Sequence, residues 1–388
     1  MSDQTPCHTS FKYKLPPTPA QERELERVVM LCRRLSNVAL DQRITAWQRC
    51  RVSLSRSQQE AELKDIRAAF PEYAAIHSHV LQDVLARLDT TYQAFFRRVQ
   101  RGEKAGFPRF KGRTRFHSFT YKEFGNGARL DNGFLVLAKI GRIAVRWSRP
   151  LEGTPKTVTV CREADGWYVA VACAEVPRKT LPLTGEQTGI DLGLESFATL
   201  ADGSRIANPR IFRVAAMNLR RAQRRVSRRV KGSLRRRKAV HLLARAHQRV
   251  RGQRTDFHHK TALTLVRQYD TIYHEDVQTA NLLRNHHLAK SIADAGWSAF
   301  LRILSCKAAE AGKTVVAVPA AFTSQACSGC GMLVEKGLSV RWHACPECGT
   351  SLHRDHNAAR NILVWGTERS ALGQSDQAPT WAGRPSVA

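Results

Sequence analysis

Two Cys-x-x-Cys pairs constrain the fold of this 388-residue chain more than any other feature of its sequence. Cys327 and Cys330 form the first pair, Cys345 and Cys348 the second, and a glycine follows each pair. Thiolates two residues apart on a tight turn can occupy neighbouring corners of a tetrahedron, and the second pair completes it. A redox motif needs only one such pair in a βαβ setting. The spacing therefore predicts one structural Zn²⁺ in a zinc ribbon over residues 321–351.

The charge of the chain predicts a nucleic-acid partner. It carries 62 Lys and Arg residues against 33 Asp and Glu residues, a formal net charge of +29. Arginine is favoured over lysine, and its guanidinium group suits phosphate recognition. A basic membrane-surface protein would instead show amphipathic basic helices without catalytic acids.

About half of this charge lies in one stretch. Residues 220–254 hold 15 Lys and Arg residues, and no acid occurs between Asp202 and Asp256. Apolar residues recur there at helical spacing, so we predict a basic helical hairpin over 215–254 with one packed face. The cationic face should bind phosphate backbones. The candidate contacts are Arg224, Arg225, Arg228, Arg229, Lys231, Arg235 and Arg236.

Other features argue for a cytosolic protein. No apolar run approaches the ~18 residues that a membrane span needs. The first residues, Met1-Ser-Asp-Gln-Thr-Pro6, lack the basic and apolar regions of a signal peptide. The six cysteines outside the two pairs are scattered, which is typical of reduced thiols.

The N-terminal half changes its periodicity twice. Residues 10–15 alternate and predict a strand, 21–101 show helical spacing, and 118–176 alternate again. We therefore predict a small β-barrel or sheet, formed by 1–20 and 126–180, with a helical block and a basic loop (21–125) inserted after its first strand.

The basic loop, residues 102–115, interleaves aromatic and cationic side chains. Such a pattern can stack on bases while its cations meet phosphates. An ordinary connector anchored by two phenylalanines is the alternative. The candidate nucleic-acid contacts are Phe107, Arg109, Lys111 and Arg113.

Three carboxylates stand at the ends of predicted elements in the C-terminal half. Asp191 and Glu275 follow short strands, and Asp355 opens a helix. Acids that only folding brings together suit paired divalent cations. Two alternatives stay open, because Asp355 alone could be a helix N-cap and Asp276 could replace Glu275.

Several motifs in this half resemble the transposon-encoded TnpB family of RNA-guided DNA nucleases, which is related to the type V CRISPR effectors. The resemblance covers nearly the whole chain except residues 367–388, which we expect to be a disordered tail. The motifs are Thr188-Gly-Ile-Asp-Leu-Gly193, the acid after Tyr273-His274, Thr323-Ser-Gln-Ala-Cys-Ser-Gly-Cys-Gly331 and His353-Arg-Asp-His-Asn-Ala-Ala-Arg-Asn-Ile362.

The resemblance implies an α+β multidomain fold. A RuvC-like nuclease domain of RNase H fold would span 186–320 and end in the helix 352–366, with the zinc ribbon inserted between them. The N-terminal part would be a β-barrel that carries a helical recognition insertion. Asp191, Glu275 and Asp355 match the catalytic triad, which would hold two Mg²⁺ ions with Asp191 bridging them.

The resemblance also implies the partners. They would be a guide RNA from the transposon end and target double-stranded DNA beside a short target-adjacent motif, in the cytoplasm and nucleoid of a prokaryote. Gln82 lies in a stretch that resembles the one that reads this motif in the family, so the resemblance implies that Gln82 contacts a base. His353 departs from the family, which often has an acid there.

Two other functions stay open at this point. A nuclease-inactive, RNA-guided DNA-binding regulator would share the fold but lose acids of the triad, and all three are present. A protein-only DNA transposase with a zinc ribbon would need no RNA.

Overall fold

The computed structural model describes residues 7–337 and 340–371. Contacts within the chain divide it between Pro177 and Arg178 into an N-terminal and a C-terminal unit. Both units combine helices and strands, so the α+β class is confirmed. In the described part of the chain, every helix is too short or too polar to cross a membrane.

The N-terminal unit is built on an antiparallel sheet of order β1-β7-β6-β2, beside a second sheet of order β3-β4-β5. Strand β1 pairs with β7, so the chain leaves the sheet for five helices and then returns to it. The elements are β1 (Cys7–Leu15), α1 (Pro19–Cys50), α2 (Arg56–Ala61), α3 (Leu63–Ala69), α4 (Pro71–Ala74), α5 (Ser78–Gln100), β2 (Ser118–Tyr121), β3 (Ala128–Asp131), β4 (Phe134–Leu137), β5 (Gly141–Ala144), β6 (Thr154–Glu163) and β7 (Gly166–Val176).

Two details of this unit differ from the sequence expectation. Strand β2 lies inside the range 21–125 that we assigned to helices and loop, because its alternating residues pair with β6. The seven strands form two sheets, and one isolated bridge between Lys14 and Arg146 connects β1 with the chain beyond β5. One apolar core, which includes Trp167, Phe119 and Leu25, joins the helices to both sheets.

The C-terminal unit is built on a five-stranded mixed sheet of order β10-β9-β8-β11-β12. Strands β8, β11 and β12 are parallel, and β9 and β10 are antiparallel. Its elements are β8 (Gln187–Asp191), β9 (Ser196–Leu200), β10 (Arg205–Ala207), α6 (Ile211–Ser227), α7 (Leu234–Gln268), β11 (Thr271–Glu275), α8 (Thr279–Leu282), α9 (Ala289–Ala295), α10 (Trp297–Ala311), β12 (Thr314–Val318), β13 (Trp342–Ala344), β14 (Ser351–His353) and α11 (Arg354–Ala371).

Helix α7 continues to Gln268, beyond the predicted end of the hairpin, because its last turns bury Ala262, Leu265 and Val266 in the core. Helix α11 also exceeds its predicted end. It reaches Ala371, so residues 367–371 are helical and not part of the predicted tail. The rest of that tail lies outside the described residues.

Candidate metal centre and nucleic-acid surfaces

Parallel pairing brings two of the three candidate carboxylates to one edge of the sheet. Asp191 is the last residue of β8 and Glu275 the last residue of β11. In the register of these strands Ile190 lies opposite His274. Because parallel strands end at the same edge, the two acids emerge side by side. Asp355, in the first turn of α11, completes the group.

Two glycines let α11 lie directly on the sheet. A Cβ atom at Gly189 would stand 2.2 Å from the carbonyl oxygen of Ala359, and one at Gly366 would stand 2.1 Å from the ring of Tyr273. Nothing larger than glycine fits at such distances without moving backbone or ring. At the acidic end of the helix, a Cβ at Gly193 would lie 3.8 Å from Oδ2 of Asp355. The close packing therefore sets where Asp355 stands.

Burial and the charges of neighbouring acids raise the pKa of Asp191 and of Glu275. Asp355 is only 9% exposed. Burial raises the pKa of Asp191 well above its usual value, and the charges of Asp355 and Glu275 add to the effect while Arg354 opposes it. Burial also raises the pKa of Glu275. Carboxylates that repel one another in a desolvated site are relieved by a bound cation, so the group fits divalent metal binding.

Glu275, and not Asp276, faces Asp191. The charge of Glu275 contributes to the raised pKa of Asp191. Asp276 is exposed, its backbone N–H donates to the carbonyl of Val318, and its carboxylate accepts a 2.9 Å hydrogen bond from Gln278. The strand ends between the two residues, which points their side chains to different surroundings.

His353 and Arg354 are neighbours of the site that the sequence did not assign. Nδ1 of His353 accepts the backbone N–H of Asp355 at 3.2 Å and lies 3.8 Å from Oδ2 of the same residue. His353 thus caps the helix that carries Asp355, although no cap pattern of the Ser, Thr, Asp or Asn type announces it. Arg354 is a cation that acts on both acids, since its charge lowers the pKa of Asp191 and of Glu275 against the effect of burial.

The Sγ atoms of the four cysteines all lie within 4.8 Å of one another. Sγ of Cys327 lies 3.6 Å from that of Cys348, and Sγ of Cys330 lies 3.6 Å from that of Cys345. Thiolates at zinc stand roughly 3.8 Å apart, given metal–sulfur bonds of about 2.3 Å. Hydrogen bonds from the hydroxyl and backbone N–H of Thr350 lower the pKa of Cys348 to about 6, which favours the ligating thiolate.

The basic loop is held in place by α1 and α5. The ring of Phe107 packs edge-on against Tyr92 and Phe95, with centroids 5.7 and 5.3 Å apart. Asn37 binds both backbone groups of Lys111, donating at 3.1 Å and accepting at 2.7 Å. Phe107 therefore anchors the loop, as the connector alternative proposed, while it stays 48% exposed. Its stacking on a base stays a prediction.

The cations of this loop line two clefts of the N-terminal unit. Arg109 and Lys111 lie with Arg87 and Arg115 along one cleft of about 240 Å³. Arg113 lines the other, of about 380 Å³, whose further cations are Arg23, Arg27, Arg33 and Arg162. Gln82 is partly exposed on α5. These positions leave the cations and Gln82 available for contact with a nucleic acid.

Helices α6 and α7 form the predicted hairpin. Most of the predicted contacts on it are exposed, namely Arg224, Arg225, Arg228, Arg229, Lys231 and Arg235. Arg236 differs, because its guanidinium is half-buried and donates to the carbonyls of Val226 and Arg229 at 2.7 and 3.1 Å. The carbonyl of Val226 lies in the last turn of α6 and also accepts the backbone N–H of Arg229, whose own carbonyl lies just beyond the helix. Arg236 therefore closes the turn of the hairpin.

A cleft of about 600 Å³ lies in the C-terminal unit. Leu194 and Glu195, which follow Asp191 closely in the chain, form one wall. Four cations also line it: Arg210, Arg213, Lys290 and Arg341. The sequence did not single them out, because they come from three separate segments.

Comparison with protein families identifies three matching ranges. Residues 171–286 match OrfB_IS605, described as a probable transposase. Residues 297–362 match the Cas12f1-like TNB domain. Residues 5–51, which include β1 and α1, match the helix-turn-helix domain HTH_OrfB_IS605.

Two solved structures share the fold. A chain from the "Cryo-EM structure of the Cas12f1-sgRNA-target DNA complex" matches with a TM-score of 0.58 at 12% identity, covering 92% of this chain and 98% of that one. The "Structure of the mini-RNA-guided endonuclease CRISPR-Cas_phi3" matches with a TM-score of 0.50 at 11% identity, covering 96% and 94%.

Curated relatives are similar over nearly their full length. A Streptomyces pristinaespiralis protein described as "Putative RNA-guided DNA endonuclease" is 38% identical over 375 residues, 94% of this chain and 90% of that protein. The Escherichia coli (strain K12) protein "Putative RNA-guided DNA endonuclease InsQ" is 30% identical over 409 residues, 97% and 96% of the two chains. More distant relatives from Acanthamoeba polyphaga mimivirus are described as TnpB-like. This chain therefore belongs to the TnpB-like family that these proteins represent.

Proposed function

We propose that this protein is an RNA-guided DNA endonuclease, encoded with an insertion sequence, that hydrolyses phosphodiester bonds beside a short target-adjacent motif. The observation that carries the proposal is the group of three desolvated carboxylates at one sheet edge, with the pKa of Asp191 raised by the other two. The names of the curated relatives support the same activity. A nuclease-inactive regulator is not favoured, because every acid of the group is present and the acids interact.

In this proposal the C-terminal sheet and α11 form an RNase H-like nuclease of RuvC type. Two Mg²⁺ ions held by Asp191, Glu275 and Asp355 would lower the pKa of the attacking water and stabilise the leaving 3′ oxygen. Asp191 has a central position, since the charges of both other acids act on it. His353 orients Asp355 through its backbone N–H, and Arg354 keeps Asp191 and Glu275 closer to their ionised forms. The four cysteines would hold one structural Zn²⁺.

The basic surfaces would bind the nucleic acids. We assign the exposed arginines of the hairpin to the backbone of a guide RNA or of its duplex with DNA, because phosphate contacts need cations and not particular bases. The four cations of the cleft that Leu194 and Glu195 line would hold the strand to be cut. Base pairing with the guide would select the target, as in guided nucleases generally. We place the guide's origin at the transposon end and the protein in the prokaryotic nucleoid.

Cleavage of a plasmid that matches the guide tests this proposal. The protein, purified with its RNA, should cut the plasmid in Mg²⁺. It should no longer cut when the purified protein is treated with RNase before the plasmid is added. Asp191→Ala should retain target binding and lose cleavage by about 100-fold or more. Cutting that persists in Asp191→Ala, or that proceeds without RNA, would refute the proposal and favour a protein-only transposase.

A further inference from the structure

Two buried asparagines of α11 hold the first cysteine knuckle of the ribbon. Asn357 is 0% exposed and Asn361 is 4% exposed. The carboxamide of Asn357 donates to the carbonyl of Ala326 at 2.7 Å and accepts the N–H of Ser328 at 2.9 Å. The carboxamide of Asn361 donates to the carbonyls of Ala326 and Thr323 at 2.7 and 2.9 Å. All four bonds end on the backbone that surrounds Cys327.

These asparagines share their helix with Asp355. Asn357 and Asn361 lie one turn apart and so on one face of α11, and Asp355 belongs to the same first turn as Asn357. A helix turn transmits displacement because its backbone hydrogen bonds hold it rigid. A shift of the knuckle would therefore move Asp355 against Asp191 and Glu275.

The ribbon also holds the residues that precede Asp355. Strand β14 runs directly into α11, and the backbone N–H of Arg354 donates to the carbonyl of Arg341 at 2.8 Å. The guanidinium of Arg354 donates to the hydroxyl of Ser324 at 3.2 Å. Asp355 is thus fixed from both sides by a small module that has few buried apolar residues of its own. Modules of this kind depend on their metal for folding.

We propose that Asn357 and Asn361 are positioning residues that make divalent-ion binding at the three carboxylates depend on the folded, zinc-loaded ribbon. The inference rests on the proposed nuclease function. Its physical basis is that both carboxamides are satisfied only when the knuckle is in place, and a buried unpaired amide is costly. The coupling must act in both directions, because binding at linked sites is reciprocal.

The test measures the two metal sites separately in full-length protein. The variants are Asn357→Leu and Asn361→Leu, which keep the side-chain size and remove the bonds. Phe300→Leu is the matched control, since it destabilises the core of the same unit away from the ribbon. Mn²⁺ binding is followed by electron paramagnetic resonance, with Asp191→Asn defining the carboxylate sites. Zinc loss is followed by the colour of a chelator.

We expect both asparagine variants to weaken Mn²⁺ binding by about 10-fold or more and to lower kcat similarly, with KM for target DNA within about 2-fold of wild type. Mn²⁺ should slow zinc loss from the wild type and not from the variants. The control should bind Mn²⁺ as the wild type does when each protein is measured the same number of degrees below its own Tm.

Unchanged Mn²⁺ affinity in the asparagine variants would overturn the inference, and so would an equal loss in Phe300→Leu. The proposed function itself would fail on a different result, namely that Asp191→Asn binds Mn²⁺ and cuts DNA like the wild type. In that case the inference falls with it.

Discussion

Burial and two neighbouring acids raise the pKa of Asp191. Its carboxylate ends a buried strand, faces two other acids, and has Arg354 as the opposing charge. A proton or a divalent cation can relieve the same repulsion, so the two compete for the site. Protonation and metal binding are therefore linked at this residue.

This linkage predicts how stability depends on pH. A carboxyl whose pKa is higher in the folded than in the unfolded state contributes stability that is fully present below the unfolded pKa. That contribution is lost as the pH rises through the folded pKa. In EDTA at pH 8, Asp191→Asn should therefore melt above the wild type by about 2 °C or more. The difference should shrink towards pH 5, and Mg²⁺ should raise the Tm of the wild type only. Equal melting temperatures at both pH values in EDTA would contradict the raised pKa.

A second prediction separates two neighbouring acids. Glu275→Gln should lower cleavage by about 100-fold or more while target binding remains, because Glu275 faces Asp191. Asp276→Asn should stay within about 2-fold of wild type, since this exposed carboxylate binds Gln278. Single-turnover cleavage with saturating enzyme measures both. The opposite order of effects would assign the metal site to Asp276.

Among the elements, α11 joins the most parts of the C-terminal unit. It lies on β8 and β11 through Gly189 and Gly366, carries Asp355 at its start, and holds the ribbon through its asparagines. Its first turn is held at one further point, where the ring of His356 lies 3.1 Å from the carbonyl oxygen of Ala201. The position of this helix therefore controls the candidate site.

The glycine contact gives a prediction for this element. Gly189→Ala should lower the free energy of unfolding by about 1–3 kcal/mol, because a new Cβ would meet backbone that cannot yield cheaply. It should also reduce cleavage, since α11 must move away from β8. Gly252→Ala is the control: it lies in α7 with open space around it and should stabilise by about 0.5–1 kcal/mol. Urea unfolding followed by circular dichroism measures both, and a neutral Gly189→Ala would refute the tight packing.

The whole molecule is dominated by its positive charge of +29. The exposed cations of the hairpin have no acid near them in sequence, so phosphates are their natural partners. One arginine in this region has a different role, because Arg236 donates to the carbonyls of Val226 and Arg229 at the turn of the hairpin.

This contrast predicts that alanine substitutions at Arg235 and at Arg236 have different effects. Arg235→Ala should weaken RNA binding at low salt and reduce the slope of log K against log [salt] by about 1. Arg236→Ala should chiefly lower the Tm, because the hydrogen bonds that Arg236 donates to the carbonyls of Val226 and Arg229 are lost. Fluorescence anisotropy across a salt series and thermal melting separate the effects. A salt slope that falls equally in both variants would mean that Arg236 also reaches a phosphate.

The sequence by itself determined the features that depend on local spacing. The two cysteine pairs predicted a four-thiol site, the periods of 3.6 and 2 predicted most helices and strands, and the acid-free run predicted the hairpin. Each of these follows from residues close together in the chain. Local spacing is therefore sufficient to recognise them.

Only the tertiary structure decided which groups meet. Parallel pairing of β8 with β11 placed Glu275, and not Asp276, beside Asp191. Folding also packed Phe107 against Phe95, bound Arg236 to the end of α6, and joined the ribbon to α11 through Asn357 and Asn361. These contacts link different elements, and the carboxylate group depends further on strand register and on close approach at glycine. Neither periodicity nor composition contains that information, because both describe each segment without its partner.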